Sequence, residues 1–178
     1  MAIVAADIKF RYSGGAANTS AAASLGGIMS TDAGGTIDDN VANDLFDNIS
    51  SAESAAGDTE YRGFYIENTH GTLALQNARV YISANTTSAT EELDIAVADE
   101  DVDVAMETIA NESTAPTGPT FTHPTTYAAG LNLNTGSAAT GLVAGSQRGV
   151  WIRRVADAGT AAVSGNTGTV KAEGDTAG

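Results

Sequence analysis

The densest group of side chains that could bind a cation lies in Asp99–Asp103, which carries four carboxylates in five residues. Calcium prefers oxygen ligands, so this segment is a candidate calcium site. Its spacing departs from the EF-hand loop, because Val104 stands where that loop needs glycine and Ala110 where it needs its last acid. In a strand, alternate acids would share one face. We interpret them as a solvated acidic face, and a calcium site is the alternative.

His70 and His123 are the only histidines, and the chain has no cysteine. These counts exclude disulfides, thiolate catalysis, Cys-based zinc sites and a multi-histidine metal site within one chain. His70 lies in a turn-like segment, and His123 lies beside Pro124. A catalytic histidine needs a nucleophile or an acid held near it, and the sequence pairs neither histidine with one. The sequence also lacks a Gly-x-Ser-x-Gly elbow and a phosphate-binding glycine fingerprint. We therefore predict that the protein is not an enzyme and uses no cofactor or metal.

The only tryptophan, Trp151, is closely followed by Arg153 and Arg154. A basic and aromatic cluster can bind nucleic acid, but 22 acids against 8 bases give a net charge of −14, which repels phosphate backbones and anionic membranes. Tryptophan and arginine are also typical of interface hot spots. For Trp151 we favour packing within the sheet, and for the arginines salt bridges within or between subunits. The predicted contact residues, from this cluster and from the proline-rich loop before it, are Trp151, Arg153, Arg154, Phe121 and His123.

Alternating segments would position these residues. Apolar and polar residues alternate, as in half-buried strands, in Asp7–Tyr12, Ala78–Ser83 and Leu93–Ala98. Glu60–Glu67, which is rich in aromatic and β-branched residues, and Gly149–Val155 are also predicted strands. Val102, Val104 and Met106 repeat the alternating pattern, whereas no segment shows helical periodicity over three turns. Three prolines within residues 116–124 exclude a helix or a central strand there. We predict an all-β fold, an antiparallel β-sandwich (Ig-like or jelly-roll-like) of about seven or eight strands with long loops.

The chain length of 178 residues suits one domain of ordinary size. We assign residues 1–156 to a single β-sandwich domain. From Asp157 onward the chain is mostly Ala, Gly, Thr and Ser, which predicts a flexible or partner-ordered C-terminal tail over residues 157–178. We expect no secretion signal at the N-terminus, and the apolar runs are too short to span a membrane.

Three blocks of the sequence resemble structural proteins of tailed viruses, in particular head decoration proteins. They are Lys9–Thr19 with Ser24–Gly27, Ala56–Ile82, and Gly145–Arg154. The blocks contain strands and turns, so the resemblance implies a place in a virion and carries no active-site residue over to this chain. The implied host is a bacterium or, because acids are in excess and arginine outnumbers lysine, a halophilic archaeon.

The expected function is that of a virion structural protein, a capsid decoration or cement protein that bridges subunits of the major capsid protein. We expect a homo-oligomer assembled in the host cytoplasm, with no direct nucleic-acid or membrane contact. The alternative is a tail-associated structural protein, such as a baseplate, tube-surface or fibre module. A carbohydrate-binding or calcium-stabilised adhesion sandwich is a third possibility, from another class.

Overall fold

The computed structural model describes residues 2–161, 163 and 165–176. Within these residues the chain forms nine strands and one α-helix, α1 (Ser51–Ala56). Ser50 caps this helix, because its hydroxyl accepts a hydrogen bond from the Glu53 amide and the Glu53 carboxylate accepts one from the Ser50 amide. The strands are β1 (Ile8–Tyr12), β2 (Gly26–Gly27), β3 (Asp58–Asn68), β4 (Leu75–Ala84), β5 (Glu91–Val97), β6 (Met106–Thr108), β7 (Leu131–Asn132), β8 (Gln147–Ala156) and β9 (Thr169–Thr176).

The strands form two main antiparallel sheets. The larger sheet has the order β1-β3-β8-β5, and the smaller sheet has the order β7-β4-β9. The two longest neighbours, β3 and β8, pair over ten residues from Asp58 opposite Ala156 to Glu67 opposite Gln147. A third, very short sheet consists of β2 and β6. The predicted all-β antiparallel sandwich is confirmed.

The main core lies between the two large sheets. Phe64 and Ile66 of β3 and Ile152 of β8 face Val80 and Ile82 of β4 across this layer, and all five are buried. These residues alternate along their strands, as a period of two requires. Burial of these apolar side chains is the main force that holds the sheets together.

The four-stranded sheet is also buried on its other face, which the chain's loops cover. There Tyr65 and Trp151 pack with Met106 in a second apolar cluster. The Tyr65 hydroxyl donates to the carbonyl of Gly27 at 2.6 Å and accepts from the amide of Met106 at 2.8 Å, which ties β2 and β6 to the sheet. A Cβ atom at Gly149 would lie 2.5 Å from Met106 Cγ, so this close packing requires glycine.

The C-terminal segment differs from the predicted tail. Thr169–Thr176 forms β9 and pairs with β4 of the same chain. The composition misled us because strand pairing needs backbone groups rather than large apolar side chains. Val170 and Ala172 suffice to pack β9 against the rim of the core. Residues 162, 164, 177 and 178 of the predicted tail lie outside the described residues.

The segment after β5 also differs from its predicted strand. The chain turns through residues 99–104, Asp103 adopts a left-handed conformation with φ of 60°, and pairing resumes only at Met106. The alternating valines were misleading because the acids between them bond to neighbouring loops, as described below. The acids therefore do not form one face of a strand.

Candidate contact surface

The face of the four-stranded sheet that carries Trp151 ends in a group of polar and aromatic side chains near the surface. We call this group, comprising Tyr61, Asp94, Phe121, His123 and Arg153, the Arg153 patch. Strand register places three of its members side by side, since Arg153 of β8 lies opposite Tyr61 of β3 and Asp94 of β5. The other two come from the proline-rich loop. The sheet therefore positions three members of the patch, and the loop positions two.

Arg153 is held in a fixed orientation at the centre of the patch. Its Nη2 and Nε atoms donate to Asp94 Oδ2 at 2.6 and 3.1 Å. Its guanidinium lies 5.3 Å from the centre of the Phe121 ring, which in turn contacts Tyr61 edge-to-face at 5.4 Å. Burial lowers the pKa of Arg153, but Asp94 and Tyr61 more than offset this effect and raise it overall. With 33% of its side chain exposed, Arg153 is a fixed cation within reach of a partner.

The proline-rich loop is docked along the β5 edge. Thr122 and Ile95 exchange two backbone hydrogen bonds of 2.9 and 3.0 Å. The Nδ1 atom of His123 hydrogen-bonds the carbonyl of Leu93, and the Pro124 carbonyl accepts from the amide of Ile82 in the other sheet at 2.8 Å. These bonds fix Phe121 and His123, both half-buried, against the sheet.

Trp151 is placed differently from the sequence expectation of a contact residue. It is 0% exposed and lies below the patch, where Tyr61 and Phe121 pack against its cluster. Its surroundings agree with the favoured packing within the sheet, so Trp151 supports the patch from inside. Burial of a residue this large leaves it no surface to offer a partner.

Arg154 points to the opposite face of β8, so it also lies outside the patch. Its Nε donates to Glu60 Oε2 at 2.7 Å, its Nη1 donates to the Asp47 carbonyl at 2.7 Å, and its guanidinium lies 4.7 Å from the Phe46 ring centre. Burial raises the pKa of Glu60, and the charge of Arg154 opposes that shift. Only 11% of the Arg154 side chain is exposed. Its salt bridge is therefore within the chain.

The predicted acidic face is broken up into separate loop contacts. Asp101 accepts hydrogen bonds from the Ser137 amide at 3.1 Å and hydroxyl at 2.5 Å, and Arg148 Nη1 lies 3.3 Å from it. Asp103 accepts from the Ser146 hydroxyl at 2.7 Å. The bonds from Ser137 hold the pKa of Asp101 below its ordinary value. These carboxylates tie loops together rather than converge on one point.

A different group of titratable side chains could present ligand atoms to a metal ion. Within the described residues, Glu92, Asp94 and His123 bring one such atom each to within 4.8 Å of the others. Two of these three side chains already have protein partners, because Arg153 binds Asp94 and His123 Nδ1 hydrogen-bonds the Leu93 carbonyl. His123 Nδ1 also lies 3.8 Å from Glu92 Oε1. This arrangement positions the loop, and we assign no metal to it.

His70 occupies the turn after β3. Its Nδ1 atom accepts hydrogen bonds from the amides of Thr72 and Leu73 at 3.1 and 3.0 Å. The predicted role, a turn residue that bonds the backbone, is what the structure shows.

The sequence matches no family model, and comparison with the curated proteins and with the solved structures found no significant match. Among the described residues, no helix is long and apolar enough to cross a membrane.

Proposed function

We propose that this protein is a virion structural protein that decorates a capsid and bridges subunits of the major capsid protein. The observation that carries the proposal is the Arg153 patch, a half-exposed surface of arginine and aromatic side chains. Arginine and aromatic residues dominate the binding energy of protein interfaces. The residue types of the Arg153 patch are therefore those typical of protein-binding surfaces.

The rigidity of the patch supports the same proposal. Arg153 is fixed by Asp94, and Phe121 rests on the buried Trp151 cluster. Ordering a free arginine or a mobile loop at an interface costs binding energy, and here the fold has already ordered both. A protein bound in many copies to a lattice gains from such a preformed surface.

The sequence resemblance supports a virion as the location. Two of the resembling blocks, Ala56–Ile82 and Gly145–Arg154, contain β3, most of β4 and most of β8. These strands form the centre of the sandwich and carry Arg153. The net charge of −14 would keep decorated particles apart in solution.

A binding assay with capsids that lack this protein tests the proposal. Purified chain is added over a concentration series, the capsids are sedimented, and the bound copies per particle are counted. Phe121→Ala combined with Arg153→Ala should weaken binding by about thirtyfold or more, which corresponds to the loss of two contact residues at an interface.

The chain offers a matched control for this variant. Arg79 lies 5.9 Å from the ring centre of Tyr127 on the other sheet, so it forms a second arginine–aromatic pair. Arg79→Ala with Tyr127→Ala should leave capsid binding unchanged. Equal losses in both double variants, or no binding of the wild-type chain to capsids, would contradict the proposal. Binding to isolated tails alone would favour the tail-associated alternative.

A further inference from the structure

The chain covers most of its own sheet edges. At β1, backbone hydrogen bonds join Tyr12 to Gly35 and Phe10 to Ile37, each at 2.9 Å. At β5, Thr122 pairs with Ile95 as described above. In the smaller sheet, the side of β4 opposite β9 is covered by β7. Such covering is how natural proteins prevent uncontrolled pairing at sheet edges.

The outer edge of β9 is the exception. This strand runs over eight residues, and within the described part of the chain its backbone hydrogen bonds go to β4 alone. An edge of this length with unpaired amides and carbonyls can accept a further strand. The other long edge strands, β1 and β5, are covered, so the open edge of β9 points to a partner strand.

The residues of β9 favour pairing with themselves. In an antiparallel pair centred on Ala172, Lys171 of one copy lies directly opposite Glu173 of the other, and the reverse pair forms by symmetry. Within one copy, Lys171 Nζ lies 2.6 Å from Glu173 Oε1, and the two side chains are 52% and 39% exposed on the outer face of the sheet. In the pair, each charge would therefore lie between its partner in the same copy and its partner in the second copy. A shift of two residues would place Lys171 against Lys171, or Glu173 against Glu173. The charges therefore select one register.

The inner face of β9 fits the same pair. Val170 and Ala172 are half-buried at the rim of the core. In the Ala172-centred register, Val170 lies opposite Gly174 of the second copy, and Ala172 lies opposite Ala172. Small residues at these positions allow close approach, and the second copy would cover the rim.

We propose that two copies of this chain pair through β9 in antiparallel orientation and so join their smaller sheets into one six-stranded sheet. The resulting order is β7-β4-β9-β9-β4-β7 about a two-fold axis through Ala172. This inference is independent of the capsid proposal, because it concerns a different sheet and can be measured on the isolated protein.

Sedimentation velocity over a concentration series, at about 0.15 M salt to limit general repulsion, measures the dimer. Lys171→Glu places like charges opposite each other at both symmetric pairs and should weaken dimerisation by about tenfold or more. Lys171→Glu combined with Glu173→Lys restores opposite charges and should recover wild-type dimerisation. The control is Lys9→Glu, which makes the same charge change on the covered edge strand β1.

Three results would overturn the β9 pair: a wild-type chain that stays monomeric up to about 1 mM, a Lys171→Glu variant that dimerises as the wild type does, or a double variant that does not recover. Thermal melting of each variant checks that it is folded. A monomeric chain that still binds capsids would refute the β9 pair alone. A chain that dimerises but does not bind capsids would refute the capsid proposal alone.

Discussion

Arg153 and Arg154 are neighbours in β8, yet their surroundings are opposite. Arg154 is buried with Glu60 between the sheet and the Phe46 loop. Arg153 binds Asp94 at the surface and keeps a third of its side chain exposed. The difference arises because successive side chains of a strand point to opposite faces. Residue type alone therefore cannot tell a buried arginine from a partly exposed one, because the face of the strand decides its surroundings.

The largest expected effect is the loss of the buried pair. Arg154→Ala should lower the free energy of unfolding by about 3 to 5 kcal/mol, because it leaves the Glu60 carboxylate buried without its partner. Arg153→Ala should cost less, about 1 to 2 kcal/mol, because a third of the Arg153 side chain is exposed and its removal lets water reach the buried Asp94 carboxylate. Urea denaturation measures both values. A greater loss for Arg153→Ala would contradict the comparison.

A smaller effect is expected from the ring beneath Arg153. Phe121→Ala should lower the free energy of unfolding by about 1 to 2 kcal/mol, because the half-buried ring contributes apolar burial and its contacts with Tyr61 and Arg153. Trp151 fluorescence should shift to longer wavelength in the folded variant as water approaches the indole. Tyr127→Ala, which removes the ring beside Arg79 of β4, provides the control, with unchanged emission. Equal emission from both variants would contradict the covering role of Phe121.

Charge-conserving substitutions sharpen the comparison further. Arg153→Lys should cost about 0.5 to 1 kcal/mol, since lysine keeps the attraction to Asp94 but loses the planar contact with Phe121. Arg154→Lys should lower the free energy of unfolding by more. The ammonium group of lysine cannot hydrogen-bond both the Glu60 carboxylate and the Asp47 carbonyl as the planar guanidinium does. The difference between the two unfolding free energies is the readout. Equal losses of unfolding free energy at the two positions would mean that only the positive charge of each arginine contributes to stability.

The smallest effect concerns acid stability. The pKa of Asp101 is lowered from its ordinary value of 3.8 in the folded chain, so its carboxylate stabilises the fold above that value and loses this contribution as pH falls through the lowered pKa. Asp101→Asn should therefore melt below the wild type at pH 7, and the gap should close in strong acid. Glu60 acts in the opposite sense, because its raised pKa weakens stability as pH rises. Glu60 is present in both the wild type and the Asp101→Asn variant, so the difference in their melting temperatures reports the contribution of Asp101. A gap that widens in acid would contradict the assignment.

The sequence predicted the sandwich because several strands alternate clearly and β3 is rich in aromatic and β-branched residues. It failed at β9, whose small residues resemble a tail and whose order comes from backbone pairing with β4. It also failed at the acidic segment, where partners such as Ser137 and Arg148 are distant in sequence.

The contact surface was predicted only in part. Phe121, His123 and Arg153 do lie together, whereas Trp151 and Arg154 were grouped with them by sequence proximity. Successive side chains of a strand point to opposite faces, so the adjacent positions of Arg153 and Arg154 in β8 could have indicated that they lie on different faces. The partner of Arg154, Glu60, was missed because the register of β3 against β8 cannot be read from either strand alone.

The most direct test of the proposed function is cryo-electron microscopy of purified virus particles that contain this chain. The capsid proposal predicts density for the sandwich that repeats with the symmetry of the shell, with Phe121 and Arg153 facing a capsid subunit. Density confined to the tail, or a chain absent from the particle, would contradict it.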